Sequence, residues 1–241
     1  MNVSKLAYLW RMMTLLPLYQ KYRDFTMIRR LPYVENLVLM SLALDNNALD
    51  GLSVIECGTW KGGMSAGMIE VGGSDRTYYF FDSFEGLPPA QEIDGESAIE
   101  WQSKKHSPEY FDNCTAAIDD FWRAVDRSGC DRGKIHPVKG FFQESLPSFE
   151  SPQIAILRLD GDWYESTMVC LEKFWDFVVP GGIILIDDYG TWDGCTRAIH
   201  DFLSSRKACE FVQQGPLGRV VYTDISQITP KSKPIVVKSR R

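Results

Sequence analysis

Two short apolar segments, each followed by aspartates, constrain the fold more than any other feature of the chain. Residues 154–159 (IAILRL) lead into Asp160, and residues 183–186 (IILI) lead into Asp187 and Asp188. Apolar runs of this length predict strands buried on both faces, and the segment between them is long enough for a helix. Two strands joined in this way form a parallel βαβ unit, whose carboxyl ends meet at one edge of the sheet.

The aspartates at these strand ends are candidate metal ligands. If the two strands are neighbours, Asp160 lies about 5 Å from Asp187 and Asp188. Carboxylates at this distance repel one another unless a proton or a cation lies between them, and magnesium prefers oxygen ligands. The alternative is that the aspartates cap helices or lie in turns, as Asp162 would do in front of a helix that starts near Glu165.

Further segments extend the pattern to five parallel-type strands that alternate with helices, which predicts one α/β domain. The other predicted strands cover residues 52–57, 77–81 and 135–139. The predicted helices cover parts of residues 1–50 and residues 64–71, 108–127, 165–178 and 192–204. An antiparallel hairpin is predicted for residues 211–214 and 219–223, which flank a Gly-Pro-Leu-Gly turn.

The chain divides into three parts without a second domain. Residues 1–50 form a helical N-terminal extension in which residues 23–27 would make a loop folded over a site. Residues 51–225 form the main domain, and residues 226–241 form a basic tail. The insertion at residues 83–107 is rich in Gly, Pro and polar residues, which predicts either a lid over a site or a disordered segment.

Composition excludes several classes of protein. The chain has 241 residues, of which 44% are hydrophobic, and a formal net charge of −6, which argues against non-specific nucleic-acid binding. Residues 6–18 are too short an apolar run to span a bilayer and lack a signal-peptide cleavage site. They predict an amphipathic helix that packs on the domain or on a partner subunit, with contact to a membrane surface as the alternative. The six cysteines lack metal-site spacing and predict free thiols in the reducing cytoplasm.

A glycine-rich turn follows the first predicted strand. Residues 56–63 read ECGTWKGG and precede a helix, so a ligand would approach the backbone closely there, although a tight turn alone would explain one glycine. The spacing is not that of the dinucleotide fingerprint G-x-G-x-x-G. Asp82 ends the second strand about 20 residues further on, where an acidic residue suits the hydroxyls of a ribose. The turn and Asp82 together favour a nucleoside ligand.

The aromatic pair Phe141 and Phe142 follows the third predicted strand. Two interpretations remain open for these rings. They would either pack in the core or stack on the base of a bound nucleoside.

Four motifs in this order resemble the macrocin O-methyltransferase family. They are ECGTWKGG at 56–63, DSFEGLP at 82–88, LRLDGD followed by YEST at 157–167, and DDYG at 187–190. The resemblance implies an S-adenosylmethionine-dependent and metal-dependent enzyme that methylates sugar hydroxyls on natural products such as macrolides and aminocoumarins. It also implies a Rossmann-like class I methyltransferase fold with a seven-stranded mixed sheet, in agreement with the antiparallel C-terminal hairpin.

The resemblance assigns roles to individual residues. The implied cofactor-binding residues are Met27, Glu56, Gly58, Ser65, Asp82, Ser83 and Phe141. The implied Mg²⁺ ligands are Asp160, Asp187 and Asp188, and the implied general base is Asp162. The expected partner is a small-molecule acceptor such as a vicinal diol of a sugar, and the expected assembly is a homodimer or a higher homo-oligomer. The sequence does not identify the acceptor.

A metal-dependent phosphotransferase is the alternative function. The pattern Asp160-Gly161-Asp162 after an apolar strand, with a later Asp-Asp pair, is also the arrangement in haloacid-dehalogenase-like phosphatases. That family has Thr or Val two residues after the second aspartate, where this chain has Tyr164. A phosphatase would also leave the glycine turn and Asp82 without a role.

Overall fold

A parallel β-sheet forms the centre of the protein. The computed structural model describes residues 5–206 and 236–237. The strands are β1 (Ser53–Cys57), β2 (Tyr78–Asp82), β3 (Ile135–Lys139), β4 (Ile154–Leu159), β5 (Val178–Ile186) and β6 (Val236–Val237). Across the sheet they follow the order β3-β2-β1-β4-β5-β6, and all of these pairings are parallel.

α-Helices cover both faces of the sheet. They are α1 (Lys5–Tyr22), α2 (Arg30–Ala43), α3 (Gly63–Gly72), α4 (Glu96–Ser103), α5 (Ile118–Asp126), α6 (Phe142–Ser145), α7 (Tyr164–Phe174) and α8 (Asp193–Ser205). One apolar core lies between the sheet and α1, α2, α3 and α5, and a second lies between the sheet and α4, α6, α7 and α8. Successive strand residues point to opposite faces, so Val54 enters the first core and Ile55 the second.

The order of the strands creates a crevice at the carboxyl edge of the sheet. From β1 the chain moves outward to β2 and β3 on one side, and later to β4 and β5 on the other. Cys57 is in register with Leu159, and Leu159 with Ile186, so these three strands end at the same level. Open α/β sheets bind ligands where the strand order reverses in this way.

The N-terminal extension packs on the first core. The Tyr8 hydroxyl donates a buried hydrogen bond to Glu35 at 2.8 Å, and Arg11 forms an ion pair with Asp45 at 2.7 Å. The outward face of α1 exposes Leu6, Leu9, Trp10, Met13 and Leu16. The predicted amphipathic helix therefore packs on its own domain. None of the helices in the described ranges is long and apolar enough to cross a membrane.

Most of the predicted elements are confirmed, but the sheet differs from the expectation. Five parallel strands alternate with helices, as predicted, and the five cysteines that the structure describes are free thiols. The expected seven-stranded mixed sheet is wrong for the described residues, which form six parallel strands. The sixth comes from the basic tail, where Val236–Val237 pairs with the end of β5. The predicted hairpin at residues 211–223 lies outside the described residues.

The predicted helix at residues 108–127 is wrong in its first half. Helix α5 begins at Ile118, and residues 111–114 have positive φ values of 47–61° that a right-handed helix cannot contain. Tertiary hydrogen bonds hold this segment instead, because the Asn113 side chain bonds the Leu87 carbonyl and the Gln102 amide. Phe111, the first residue of this segment, is 46% exposed.

Strand β5 begins five residues earlier than predicted, at Val178 instead of residue 183. The cause is the pairing partner, because Val178 pairs with Ile154 before an irregularity in the register. Gly182 then passes close to the Ala155 carbonyl oxygen, which would lie 2.7 Å from a Cβ atom at that position.

Gly58 shows why the glycine turn after β1 contains glycine. It has a φ of +91°, and a Cβ atom would lie 1.8 Å from the carbonyl oxygen of Asp160. The backbone N–H of Gly58 donates to the Phe81 carbonyl, and the N–H of Asp160 donates to the Cys57 carbonyl, both at 2.8 Å. The glycine therefore lets the ends of β1 and β4 approach each other.

We expect Gly58→Ala to lower the free energy of unfolding by about 2–5 kcal/mol, because the methyl group adds a backbone overlap to the positive φ. Gly51→Ala is the matched control, since Gly51 has a φ of +70° but no atom within 4 Å of the added Cβ. The control should lose only about 1–2 kcal/mol. Urea unfolding curves measure both values, and equal losses in the two variants would contradict this explanation.

Candidate active site

A cavity of about 440 Å³ opens at the carboxyl ends of β1, β2, β4 and β5. This volume lies in the range of small-molecule and cofactor sites. Ten of the predicted site residues line it: Met27, Glu56, Gly58, Asp82, Ser83, Phe141, Asp160, Asp162, Asp187 and Asp188. Both groups of predicted residues, those for the cofactor and those for the metal, therefore share one cavity.

The hydroxyls of the two predicted serines donate hydrogen bonds to other residues of the protein. Ser65 is fully buried outside the cavity lining, and its hydroxyl donates a hydrogen bond to Glu56. Ser83 does line the cavity, but its hydroxyl donates to the Gly86 carbonyl at 2.8 Å. The Ser65 bond joins α3 to β1, and the Ser83 bond closes the turn at residues 83–86.

Asp82 organises the glycine turn. One carboxylate oxygen accepts the backbone N–H groups of Thr59 and Trp60 at 2.7 and 2.8 Å, and the other accepts that of Phe84 at 2.7 Å. Burial raises the pKa of Asp82, and these hydrogen bonds oppose the shift because they stabilise the ionised form. A carboxylate has about four acceptor positions, so this role is compatible with binding hydroxyls of a ligand.

The two phenylalanines after β3 have different surroundings, which bears on whether each packs in the core or stacks on a ligand. Phe142 is 8% exposed and belongs to the second core, although it also contributes to the cavity wall. Phe141 lines the cavity and lies at the start of α6. Core packing therefore accounts for Phe142, and contact with a ligand stays a prediction for Phe141.

The three aspartates at the strand ends converge. Asp160, Asp187 and Asp188 each offer a carboxylate oxygen within 4.8 Å of the others, which confirms the predicted approach. Burial raises the pKa of Asp160, and the charge of Asp187 adds to the shift although Arg158 opposes it. This oxygen donor set is the kind that Mg²⁺ and similar cations prefer.

The helix-cap alternative does not fit Asp162. The N-cap residue of α7 is Trp163, and its side chain makes no capping hydrogen bond. The N–H of Tyr164 instead donates to Asp94, which lies in the insertion and is 3% exposed, at 2.7 Å. Asp162 lines the cavity.

Arg158 is the central residue of the site that the sequence analysis missed. Its guanidinium is fully buried on β4 and contacts Glu56 on β1 at 2.8 Å, Asp160 at 2.9 Å and Asp187 beyond β5 at 3.0 Å. Burial raises the pKa of Glu56 to about 7, while Arg158 and Ser65 oppose the shift. The available signal was an arginine in the middle of an apolar strand, because a buried charge requires partners.

Helix α2 supplies a second residue that the sequence analysis missed. The side-chain amide of Asn36 donates to Asp187 at 3.4 Å and to the Pro32 carbonyl at 2.9 Å. The N-terminal extension therefore touches the carboxylate cluster directly. The loop predicted at residues 23–27 lines the cavity only through Thr26 and Met27, because residues 23–25 form a short 3-10 helix, and the lining continues to Arg29.

The insertion at residues 83–107 is ordered and attached to the site. It contains α4, which brings Trp101 into contact with Trp163 and Trp192 at ring distances of 6.3 and 6.0 Å. The Trp163 indole also donates to the Pro88 carbonyl at 2.9 Å. These contacts hold the insertion against the loop after β4, and its function as a lid stays a prediction.

Comparison with known sequences assigns the family. A family profile described as macrocin-O-methyltransferase (TylF) matches residues 23–216. The chain belongs to the macrocin-O-methyltransferase family. The match includes the glycine turn, Asp82 and the carboxylate cluster, and the resemblance stated from the four motifs is confirmed.

Two curated relatives of this macrocin-O-methyltransferase family member are O-methyltransferases with named substrates. A tetracenomycin 4′-O-methyltransferase of Streptomyces olivaceus, whose named substrate carries a dimethoxyrhamnosyl group, is 33% identical over 154 residues. The mycinamicin III 3″-O-methyltransferase of Micromonospora griseorubida is 28% identical over 153 residues. The matches cover 62% of this chain and 57% and 59% of those proteins, so the chain spans less than two thirds of their length.

Solved structures show the same fold. The O-methyltransferase NovP superposes with a TM-score of 0.62 at 21% identity, covering 90% of this chain and 83% of that one. The calicheamicin methyltransferase CalS11 superposes with a TM-score of 0.58 at 17% identity, covering 99% and 94%. The Rossmann-like methyltransferase fold expected from the sequence is confirmed by these neighbours.

We expect Arg158→Met to lower the free energy of unfolding by about 3–5 kcal/mol, because it leaves Glu56 and its neighbours without their buried counter-ion. Arg132→Met is the control, since it removes an exposed ion pair with Asp126 (2.6 Å). The control should change stability far less, because an exposed ion pair contributes little. Urea unfolding measures both, and similar small losses would contradict a central role for Arg158.

Proposed function

We propose that this family member is an S-adenosylmethionine-dependent and Mg²⁺-dependent O-methyltransferase that acts on a hydroxyl, in particular a vicinal diol of a sugar or of a natural-product glycoside. The observation that carries the proposal is that the glycine turn with Asp82 and the carboxylate cluster line one cavity. The family and the sugar-containing substrate named for a relative support the acceptor class.

The carboxylate cluster fits a magnesium ion. Asp160, Asp187 and Asp188 would hold it, because they provide oxygen donors close together. With Glu56 these carboxylates also outnumber the single positive charge of Arg158. A bound Mg²⁺ supplies Lewis acidity that lowers the pKa of coordinated acceptor hydroxyls. The chain itself keeps the carboxylates oriented through Arg158 and Asn36.

The opposite side of the cavity fits a nucleoside-containing cofactor. Asp82 provides the acceptor group for ribose hydroxyls at the end of β2, and Met27 and Phe141 provide apolar surface. Glu56 is bonded to Arg158 and Ser65 and contributes mainly by holding this wall of the site. S-Adenosylmethionine, when bound, supplies an electrophilic methyl group.

Asp162 is the proposed general base. It lines the cavity two residues beyond Asp160, and its backbone N–H donates to Asp188 at 3.2 Å. A carboxylate in this position takes the proton of an acceptor hydroxyl whose pKa has been lowered. Binding both reactants in one cavity supplies the rest of the acceleration through orientation.

Transfer of a labelled methyl group tests the proposed function directly. The full chain would be incubated with methyl-labelled S-adenosylmethionine, Mg²⁺ and a panel of rhamnosides and other glycosides that carry vicinal diols. Calorimetric titrations with S-adenosylmethionine and with inorganic phosphate would run beside it. Phosphate binding without S-adenosylmethionine binding would favour the phosphotransferase alternative, which assigns no role to Asp82.

The homo-oligomer and the cytoplasmic location stay predictions.

Asp82→Ala should weaken S-adenosylmethionine binding by about 1–3 kcal/mol, the scale of hydrogen bonds to a charged group. Asp82→Asn is the control for the turn, because it keeps one oxygen acceptor for the backbone N–H groups of Thr59 and Trp60. Calorimetry on both variants, with unfolding curves to confirm that each is folded, measures the effect. Unchanged affinity in folded Asp82→Ala would remove Asp82 from the cofactor site.

A chelator should abolish turnover, and Mg²⁺ should restore it, because the acceptor hydroxyls need the Lewis acid.

Asp160→Asn should weaken metal binding, so excess Mg²⁺ should partly restore its activity. Asp162→Asn should bind metal and cofactor normally but lower the chemical step by about 10²–10⁴-fold. Single-turnover methylation across a magnesium titration compares them. Equal rescue of both variants would make Asp162 a ligand instead of the base.

A further inference from the structure

A tryptophan from the neighbouring strand end holds the side chain of Asp162. The indole Nε1–H of Trp192 donates to Asp162 Oδ1 at 2.6 Å. Asp162 follows β4 and Trp192 follows β5, so this bond joins the two loops that carry the carboxylate cluster. Asp162 also has a φ of +57°, a conformation that residues other than glycine rarely adopt.

The indole of Trp192 is itself fixed. The residue is 5% exposed, and its ring packs edge-on against Trp163 at 5.3 Å and against Trp101 at 6.0 Å. Its backbone N–H donates to the Asp188 carbonyl at 3.1 Å. A ring held on two sides and by its backbone gives its N–H a defined direction, which a flexible donor would not have.

We propose that Trp192 is a positioning residue for methyl transfer, whose indole N–H holds the Asp162 carboxylate in the orientation in which it accepts the acceptor proton. The inference rests on the proposed function and deepens it. In the proton transfer the acceptor O–H bond breaks, its electron pair stays on the acceptor oxygen, and the proton joins the Asp162 carboxylate. A hydrogen bond to Oδ1 orients the Asp162 carboxylate, which has further lone pairs that accept a proton.

Trp163 provides the matched control. It is as buried as Trp192, belongs to the same ring cluster and also donates one indole hydrogen bond, but to the Pro88 carbonyl. Trp192→Phe and Trp163→Phe therefore remove the same group and a similar apolar surface. The substitutions differ in whether the lost N–H served Asp162.

Nuclear magnetic resonance of the full chain labelled with ¹⁵N in its seven tryptophan indoles tests the bond without any ligand. The two phenylalanine variants assign the signals of Trp192 and Trp163. Asp162→Asn should shift the Trp192 indole signal clearly more than the Trp163 signal, because a neutral amide replaces a charged acceptor. A Trp192 signal that does not respond to Asp162→Asn would overturn the proposal.

Kinetics with methyl α-L-rhamnopyranoside as the probe acceptor tests the role. Trp192→Phe should lower kcat about 10²-fold, the scale of a misplaced catalytic group, with KM and cofactor affinity changed less than about threefold. Trp163→Phe should stay within about threefold of the wild type. Adding Trp192→Phe to Asp162→Asn should cause no further loss, because residues that act as one unit are not additive.

The possible failures separate the inference from the function on which it rests. Additive losses in the double variant, or an equal loss in Trp163→Phe, would overturn the positioning role while the methyltransferase activity stands. A wild-type chain that neither binds S-adenosylmethionine nor transfers its methyl group would instead refute the proposed function, and the catalytic role of Trp192 with it.

Discussion

The buried guanidinium of Arg158 is the interaction on which the site depends. A charge in the middle of β4 is costly unless it is paired, and Glu56, Asp160 and Asp187 pair it from three adjacent strands. The same contacts hold the carboxylates at the edge of the sheet. Because these acids with Asp188 outnumber the guanidinium, the cluster keeps an excess of negative charge that favours a divalent cation.

The carboxylate cluster is completed by segments distant in the chain. Asn36 reaches Asp187 from the N-terminal extension, and Asp94 holds the first turn of α7 from the insertion. Trp192 reaches Asp162 from the loop after β5. Each of these contacts limits how far an acidic loop moves, so contacts within the protein itself fix the positions of its acids. Such preorganisation is what a positioned base and a metal site require.

The glycines of the turn after β1 are needed for packing within the protein. We expected them to let a ligand approach the backbone, and protein atoms also come close to two of them. A Cβ atom at Gly58 would overlap Asp160, and one at Gly63 would lie 2.5 Å from the Phe25 carbonyl oxygen. The turn therefore joins β1 to β4 and to the N-terminal loop, and this packing shapes the cavity.

The sequence by itself determined the alternation of strands and helices, the strand ends that carry acids, and the family, because buried parallel strands leave continuous apolar runs that end in polar residues. Of the eleven site residues predicted from the sequence, ten line the cavity. Only the tertiary structure decided the partners of Arg158, the short α5, the early start of β5 and the bond from Trp192 to Asp162. Those features depend on contacts between segments far apart in the chain, which local periodicity does not encode.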